Sequence, residues 1–197
     1  MVKYILASAS PRRRELMNII TDKFEVVVSD ADESAVDPTS VPPAIYVQEL
    51  SLLKAAATAK KVLKNKKAVI IAADTIVVRD NEILGKPKDK ADAARILKSL
   101  SGRAHDVYTG YCIMRIADAK TFCGSVKTAV KFRELSDETI DEYIKTGEPM
   151  DKAGAYGIQA KGALLVEGIT GDYFNVVGFP VGEIGKKLQE EFDITVM

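Results

Sequence analysis

The chain has 197 residues, 47% apolar and 28% charged, enough for a sizeable core in one large domain or two small ones. Lys plus Arg and Asp plus Glu both total 28, so no global field marks nucleic acid or an anionic membrane as a partner. No apolar run approaches the ~20 residues that span a bilayer, and the N-terminal stretch lacks a signal-peptide pattern, so a cytoplasmic protein is expected.

Val2–Ala7 predicts a short buried strand. Ser10 followed by Pro11 predicts a helix start, with a hydroxyl to cap it and proline at the first helical position. That helix is expected over Pro11–Ile20, with Leu16, Ile19 and Ile20 turned inward. Phe24–Ser29 predicts a second strand, and "DADESAVDPTSVPP" a loop. Ser40 and two prolines then open a long helix to about Lys64, with Tyr46, Leu50, Leu53 and Ala57 on one stripe and Lys54 at its border.

Ala68–Ala73, "AVIIAA", suits a strand covered on both faces; Thr75–Val78 continues it, and "RDNE" turns it into a hairpin. "GKPKDK" leads into a helix from Asp89 to Leu100 with Ala93, Ile96, Leu97 and Leu100 inside. His105–Ile116 and Thr121–Phe132 flank "ADAK" as an antiparallel hairpin. Ser136 caps a helix to about Lys145, "TGEPMDKAGAYG" is a loop, Gly162–Glu167 a strand, and Pro180–Phe192 a closing amphipathic helix. There is no repeat or linker. The sum is an α/β single domain over residues 1–197, a twisted mixed β-sheet flanked by helices, with two lobes around a groove as the alternative.

Several stretches carry chemistry. In "ASASPRRRELM", Arg12, Arg13 and Arg14 occupy the first turn of a helix, the wrong end for cations, at a cost of about a few tenths of a kcal/mol each. A bound phosphate reverses that sign, because helix N–H groups and guanidiniums both grip its oxygens. Solvated surface arginines are the alternative. In "VIIAADT", Asp74 follows a buried apolar run, where a carboxylate can hold a hard cation or orient water; otherwise it only starts a turn. "DADE" offers Asp30, Asp32 and Glu33, more simply a solvated face. "LGKPKDK" presents Lys86 before a proline, and "EPMDKAGAYGIQAKGA" sets Gln159 among glycines that let backbone approach a ligand.

Other chemistries are poorly supported. His105 is the single histidine, and Cys112 and Cys123 have no metal-ligand spacing, so zinc is not expected and reduced thiols on strands are. No GxxxxGK[ST] loop, GxGxxG before a helix, HExxH or GxSxG is present.

"LASASPRRRELM", "AADTIVV", "LGKPKDKADAARILKSLSGRAHDVYTG" and "EPMDKAGAYGIQAKGALLVEGITGDYFNVVGFPV" resemble, in order, the signatures of the Maf family of nucleotide pyrophosphatases, over nearly the whole chain. The resemblance implies an inosine triphosphate pyrophosphatase-like fold with a deep active-site cleft. It also implies house-cleaning cleavage of nucleoside triphosphates to the monophosphate and pyrophosphate with Mg²⁺ or Mn²⁺, and a homodimer. By the same resemblance the catalytic aspartate falls on Asp74, the phosphate-gripping turn on Ser8, Ser10, Arg12 and Arg13, the acidic loop residue on Glu33, and two active-site lysines on Lys54 and Lys86. Metal would fall to Glu33 and Asp74. Arg12, Thr75 and Gln159 match the branch preferring dTTP and UTP, whereas the 7-methyl-GTP branch carries a tryptophan after the proline and this chain contains none. Arg14 has no mapped role, and Ala72 stands where a glycine is common. The rival readings are a non-catalytic nucleotide-binding regulator of septum formation, and a pyrophosphatase for purine or modified nucleotides.

Overall fold

A computed structural model of the chain describes residues 2–196. The elements run β1 (Lys3–Leu6), α1 (Pro11–Ile20), β2 (Phe24–Val26), α2 (Pro43–Val62), β3 (Ala68–Arg79), β4 (Glu82–Leu84), α3 (Lys90–Leu100), β5 (Ala104–Arg115), β6 (Thr121–Phe132), α4 (Asp137–Lys145), β7 (Val166–Thr170), α5 (Tyr173–Val177) and α6 (Val181–Phe192). The strands hydrogen-bond in the order β2-β1-β3-β5-β6-β7, with β4 on β3. β1 is parallel to β2 and β3, while β3–β4 and β6–β7 are antiparallel, so this is the mixed α/β sheet expected.

The chain divides into two compact units: residues 1–74, 109–126 and 178–197, and residues 75–108 and 127–177. In the first, β1 registers Lys3 to Leu6 against Ala68 to Ile71, and both neighbours of β1 run parallel to it. Side chains alternate along β3: Ala68, Ile70 and Ala72 share an apolar cluster with Ala55 and Ala59 of α2, Ile5 of β1 and Cys112 of β5. Strand period then puts Asp74 on that same face, toward α2. The helix comes very close to the sheet at Gly110, where a Cβ would lie 2.1 Å from the Val47 carbonyl oxygen.

In the second unit, α3 buries Ala93, Ile96, Leu97 and Leu100, the stripe expected for it, in a core with Val107, Phe132 and Ile140. Asp89 caps α3 by accepting from the Asp92 amide. Asp80 and Asn81, both at positive φ, make the tight turn between β3 and β4.

Four expectations need correcting. Ile19 is 59% exposed; α1 buries Leu16, Met17 and Ile20 instead, because residues i, i+1 and i+4 share a face that Ile19 leaves. On α2 only Leu50 of the expected stripe is buried; the inner face is Val47, Leu50, Ser51, Ala55, Thr58 and Ala59, which brings Lys54 inward between Ser51 and Thr58. β2 stops at Val26 rather than Ser29. The strand expected over Gly162–Glu167 begins only at Val166, and residues Ala160–Leu165 form a 3-10 turn with Leu164 74% exposed. There the Glu148 carboxylate accepts from the Lys161 and Gly162 amides, both at 3.3 Å, and takes those donors out of any sheet. The short helix α5 has no counterpart in the sequence reading.

Candidate active site

The turn after β1 is built by its serines. Ser10, in extended conformation, caps α1 by accepting from the Arg13 amide at 3.4 Å, with Pro11 opening the helix. Ser8 is buried, and its Oγ accepts the Ser10 amide at 3.2 Å. Arg13 folds back over this turn: its Nε donates to the Gly178 carbonyl at 2.9 Å, and its Nη1 lies 3.5 Å from Ser8 Oγ. Burial holds the Arg13 guanidinium below its ordinary value, opposed by the Asp74 charge, reinforced by Arg12 and opposed again by Glu33. It stays protonated all the same. Arg12 is half-buried and Arg14 exposed, so the arginine run divides by environment.

Asp74 lies three residues past Ile71, where parallel pairing with β1 ends, although β3 itself continues to Arg79. Lys54 Nζ donates to Asp74 Oδ1, with both side chains 13% exposed, and lies 3.1 Å from Glu33 Oε1. One ammonium therefore joins two carboxylates brought from a loop turn and a strand. Of the "DADE" acids, Glu33 alone reaches Lys54. Asp30 pairs with Lys61 at 3.2 Å, and Asp32 caps the turn Glu33–Ala35.

Thr75, Lys86 and Gln159 belong to the second unit. Thr75 and Gln159 are half-buried, and Lys86 is exposed. The loops bearing Lys86 and Gln159 are tied together where the Gly154 amide donates to the Gly85 carbonyl at 3.0 Å. Gly154 has φ 68, and a Cβ there would lie 2.9 Å from both Val77 methyl carbons, so glycine alone fits.

Two participants escaped the sequence reading. Gly178, at φ 112, supplies the carbonyl that holds Arg13; the only local signal is a glycine before "FP". Tyr46, expected as an apolar stripe residue, is half-buried, and burial first, then the charges of Asp74 and Glu33, push its phenol up. It stands eight residues before Lys54, about two turns up the helix. His105 is not part of this site: it is 4% exposed, with Nε2 2.7 Å from the Tyr156 hydroxyl and its ring edge-on to Phe132.

Glu33 and Asp74 pass a test of chemistry for a divalent metal. Both are hard oxygen donors sharing one cation, and Mg²⁺ is typically held by one or two carboxylates together with substrate phosphate. Among the described residues no cluster of three or more His, Cys, Asp or Glu forms a self-sufficient protein cage.

In class, then, this is an α/β protein whose carboxylates, lysine and arginines gather just beyond the point where parallel pairing of β1 with β3 stops, the kind of place where such sheets hold ligands. The family model described as Maf-like protein matches residues 3–191, and the chain belongs to that family. A dTTP/UTP pyrophosphatase of Thermoanaerobacter sp. (strain X514) is 47% identical over 196 residues, 100% of both chains. A dTTP/UTP pyrophosphatase of Thermococcus gammatolerans is 51% identical over 190 residues, covering 96% of this chain and 97% of the relative. Among solved structures, the Staphylococcus aureus Ham1 protein aligns with TM-score 0.45 and 19% identity over 66% of this chain and 71% of that one. Among the described residues, no helix is long and apolar enough to cross a membrane.

Proposed function

We propose that this chain, acting over residues 1–197 as one catalytic domain, hydrolyses the α–β phosphoanhydride of dTTP and UTP, giving the monophosphate and pyrophosphate. The observation that carries the reading is the Lys54 ammonium set between Asp74 and Glu33, with Arg13 within electrostatic reach of both acids. Full-length relatives named dTTP/UTP pyrophosphatase support it.

Phosphoryl transfer asks a protein chiefly for positioning and charge neutralisation. In this reading Arg12, Arg13, Lys54 and Lys86 grip the triphosphate, and Ser8 and Ser10 shape the turn that receives it. Asp74 accepts the proton of the attacking water, with Lys54 fixing its carboxylate orientation. Glu33 and Asp74 would hold Mg²⁺ or Mn²⁺, which when bound supplies positive charge against the polyphosphate oxygens and acidifies water. Thr75 and Gln159, with Arg12, discriminate the pyrimidine base. A cytoplasmic homodimer goes with this reading; sedimentation velocity tests the dimer.

The decisive measurement is pyrophosphate release from a panel of nucleoside triphosphates with Mg²⁺ or Mn²⁺. Turnover of dTTP and UTP above purine nucleotides is expected. Preference for a purine or 7-methyl-GTP would move the substrate assignment, and no release from any nucleotide would favour a binding regulator of septum formation.

A further inference from the structure

Cys112 on β5 and Cys123 on β6 belong to the two arms of one hairpin in the first unit. Its register is set at two places. The Arg115 amide donates to the Lys120 carbonyl at 2.9 Å, and the Tyr111 phenol fills the space over Gly124, where a Cβ would lie 2.6 Å from its oxygen. Counting inward from Arg115–Lys120 places Cys112 opposite Cys123 and Tyr111 opposite Gly124, so both observations agree. Three steps from a hydrogen-bonded pair, the cysteines fall at a non-hydrogen-bonded position, where facing Cα atoms are about 4.5 Å apart and side chains point to the same face. That spacing lies inside the range a disulfide spans.

We propose that Cys112 and Cys123 are a redox-active dithiol that closes reversibly to a cross-strand disulfide under a peroxide-class oxidant. Both are free thiols in this structure, and the hairpin register sets them face to face. Cys112 is fully buried and Cys123 half-buried, so Cys123 is the sulfur an oxidant reaches. The mutual interaction of the two sulfurs lowers the Cys123 thiol and, with burial, raises that of Cys112, giving a nucleophile and a resolving partner.

The Cys123 thiolate attacks one peroxide oxygen; the O–O bond breaks, and the departing hydroxide takes a proton to become water. The Cys112 sulfur then attacks the Cys123 sulfenic sulfur; the S–O bond breaks, and the leaving hydroxide carries off the Cys112 proton as a second water. Two thiols lose two electrons, and one peroxide becomes two waters. This chemistry stands apart from the hydrolase reading and does not need it.

The test is peroxide oxidation of the full chain, blocking of remaining thiols, and non-reducing tryptic mapping. Cleavage at Arg115 and Lys120 separates "AHDVYTGYCIMR" from "TFCGSVK", so the proposal requires these two peptides linked, about 2 Da lighter than their sum and released by dithiothreitol. In Cys112→Ser, Cys123 sulfenic acid should accumulate and be captured by dimedone; in Cys123→Ser, Cys112 should stay reduced. Conversion of wild-type Cys123 to sulfinic acid without linkage, or linkage only between chains, would overturn it. The wild-type map decides the matter even where a variant folds poorly.

Discussion

Lys54 of α2 and Asp74 of β3 form an ion pair, each side chain 13% exposed, that joins the helix to the strand on the face they share. Asp74→Asn keeps the side-chain shape and an acceptor for Lys54, so the fold should persist while kcat for pyrophosphate release falls about 10²–10⁴-fold. Lys54→Met instead strands a shielded carboxylate, and should cost about 1–3 kcal/mol of stability as well as activity. Thermal melts beside steady-state kinetics separate the two effects; wild-type turnover in Asp74→Asn would remove that residue from the mechanism.

Arg13 is anchored by Gly178 and lies beside Ser8, whereas Arg14 is exposed. Arg13→Ala removes a charge-assisted grip on phosphate and should raise KM for nucleotide roughly 10–100-fold. Arg14→Ala should leave KM almost unchanged. Equal effects of the two would contradict the division of the arginine run.

Burial pushes the His105 imidazole down to about 4 from 6.5, so the folded chain holds it neutral through mild acid. Between those values the unfolded chain binds the extra proton, and stability is therefore lost as pH falls. About 3 kcal/mol should disappear between pH 6.5 and pH 4, with no contribution to the slope above neutrality. Urea melts across that range should show the loss in wild type, and a flatter curve in His105→Gln.

Gly110 meets the backbone of α2, and a Cβ there would stand 2.1 Å from the Val47 carbonyl. Neither atom sits on a flexible side chain, so Gly110→Ala should cost about 2–3 kcal/mol by forcing helix and strand apart. At this chain length that is a fall in Tm of roughly 5–10 °C. Gly168→Ala on β7, where nothing lies within 4 Å, should stay within about 0.5 kcal/mol of wild type.

The elements legible in the chain are those whose signals are local. Ser10-Pro11 starts α1, Ser136 starts α4, and the stripe of α3 is strong enough to place its buried residues. Short apolar segments were harder. "GALLVE" carries no period that separates a strand from a turn, and the Glu148 carboxylate, a dozen residues upstream, decided the matter by capturing two amides.

The sequence by itself determined most of the strand-and-helix order, the serine caps of α1 and α4, and the long motifs that place the chain in its family. Tertiary structure alone decided which charges meet. Apart from the family resemblance, nothing in the loop's own composition tells Glu33 from Asp30 or Asp32, yet Glu33 meets Lys54, Asp30 meets Lys61 and Asp32 turns back on its own loop. Nor does the pattern of α2 show that Lys54 faces inward, since a small rotation of a long helix moves it between core border and core face. The physical reason is that such pairings depend on the register of a helix against the sheet. That register is set by close packing such as Val47 against Gly110, between residues far apart in the chain.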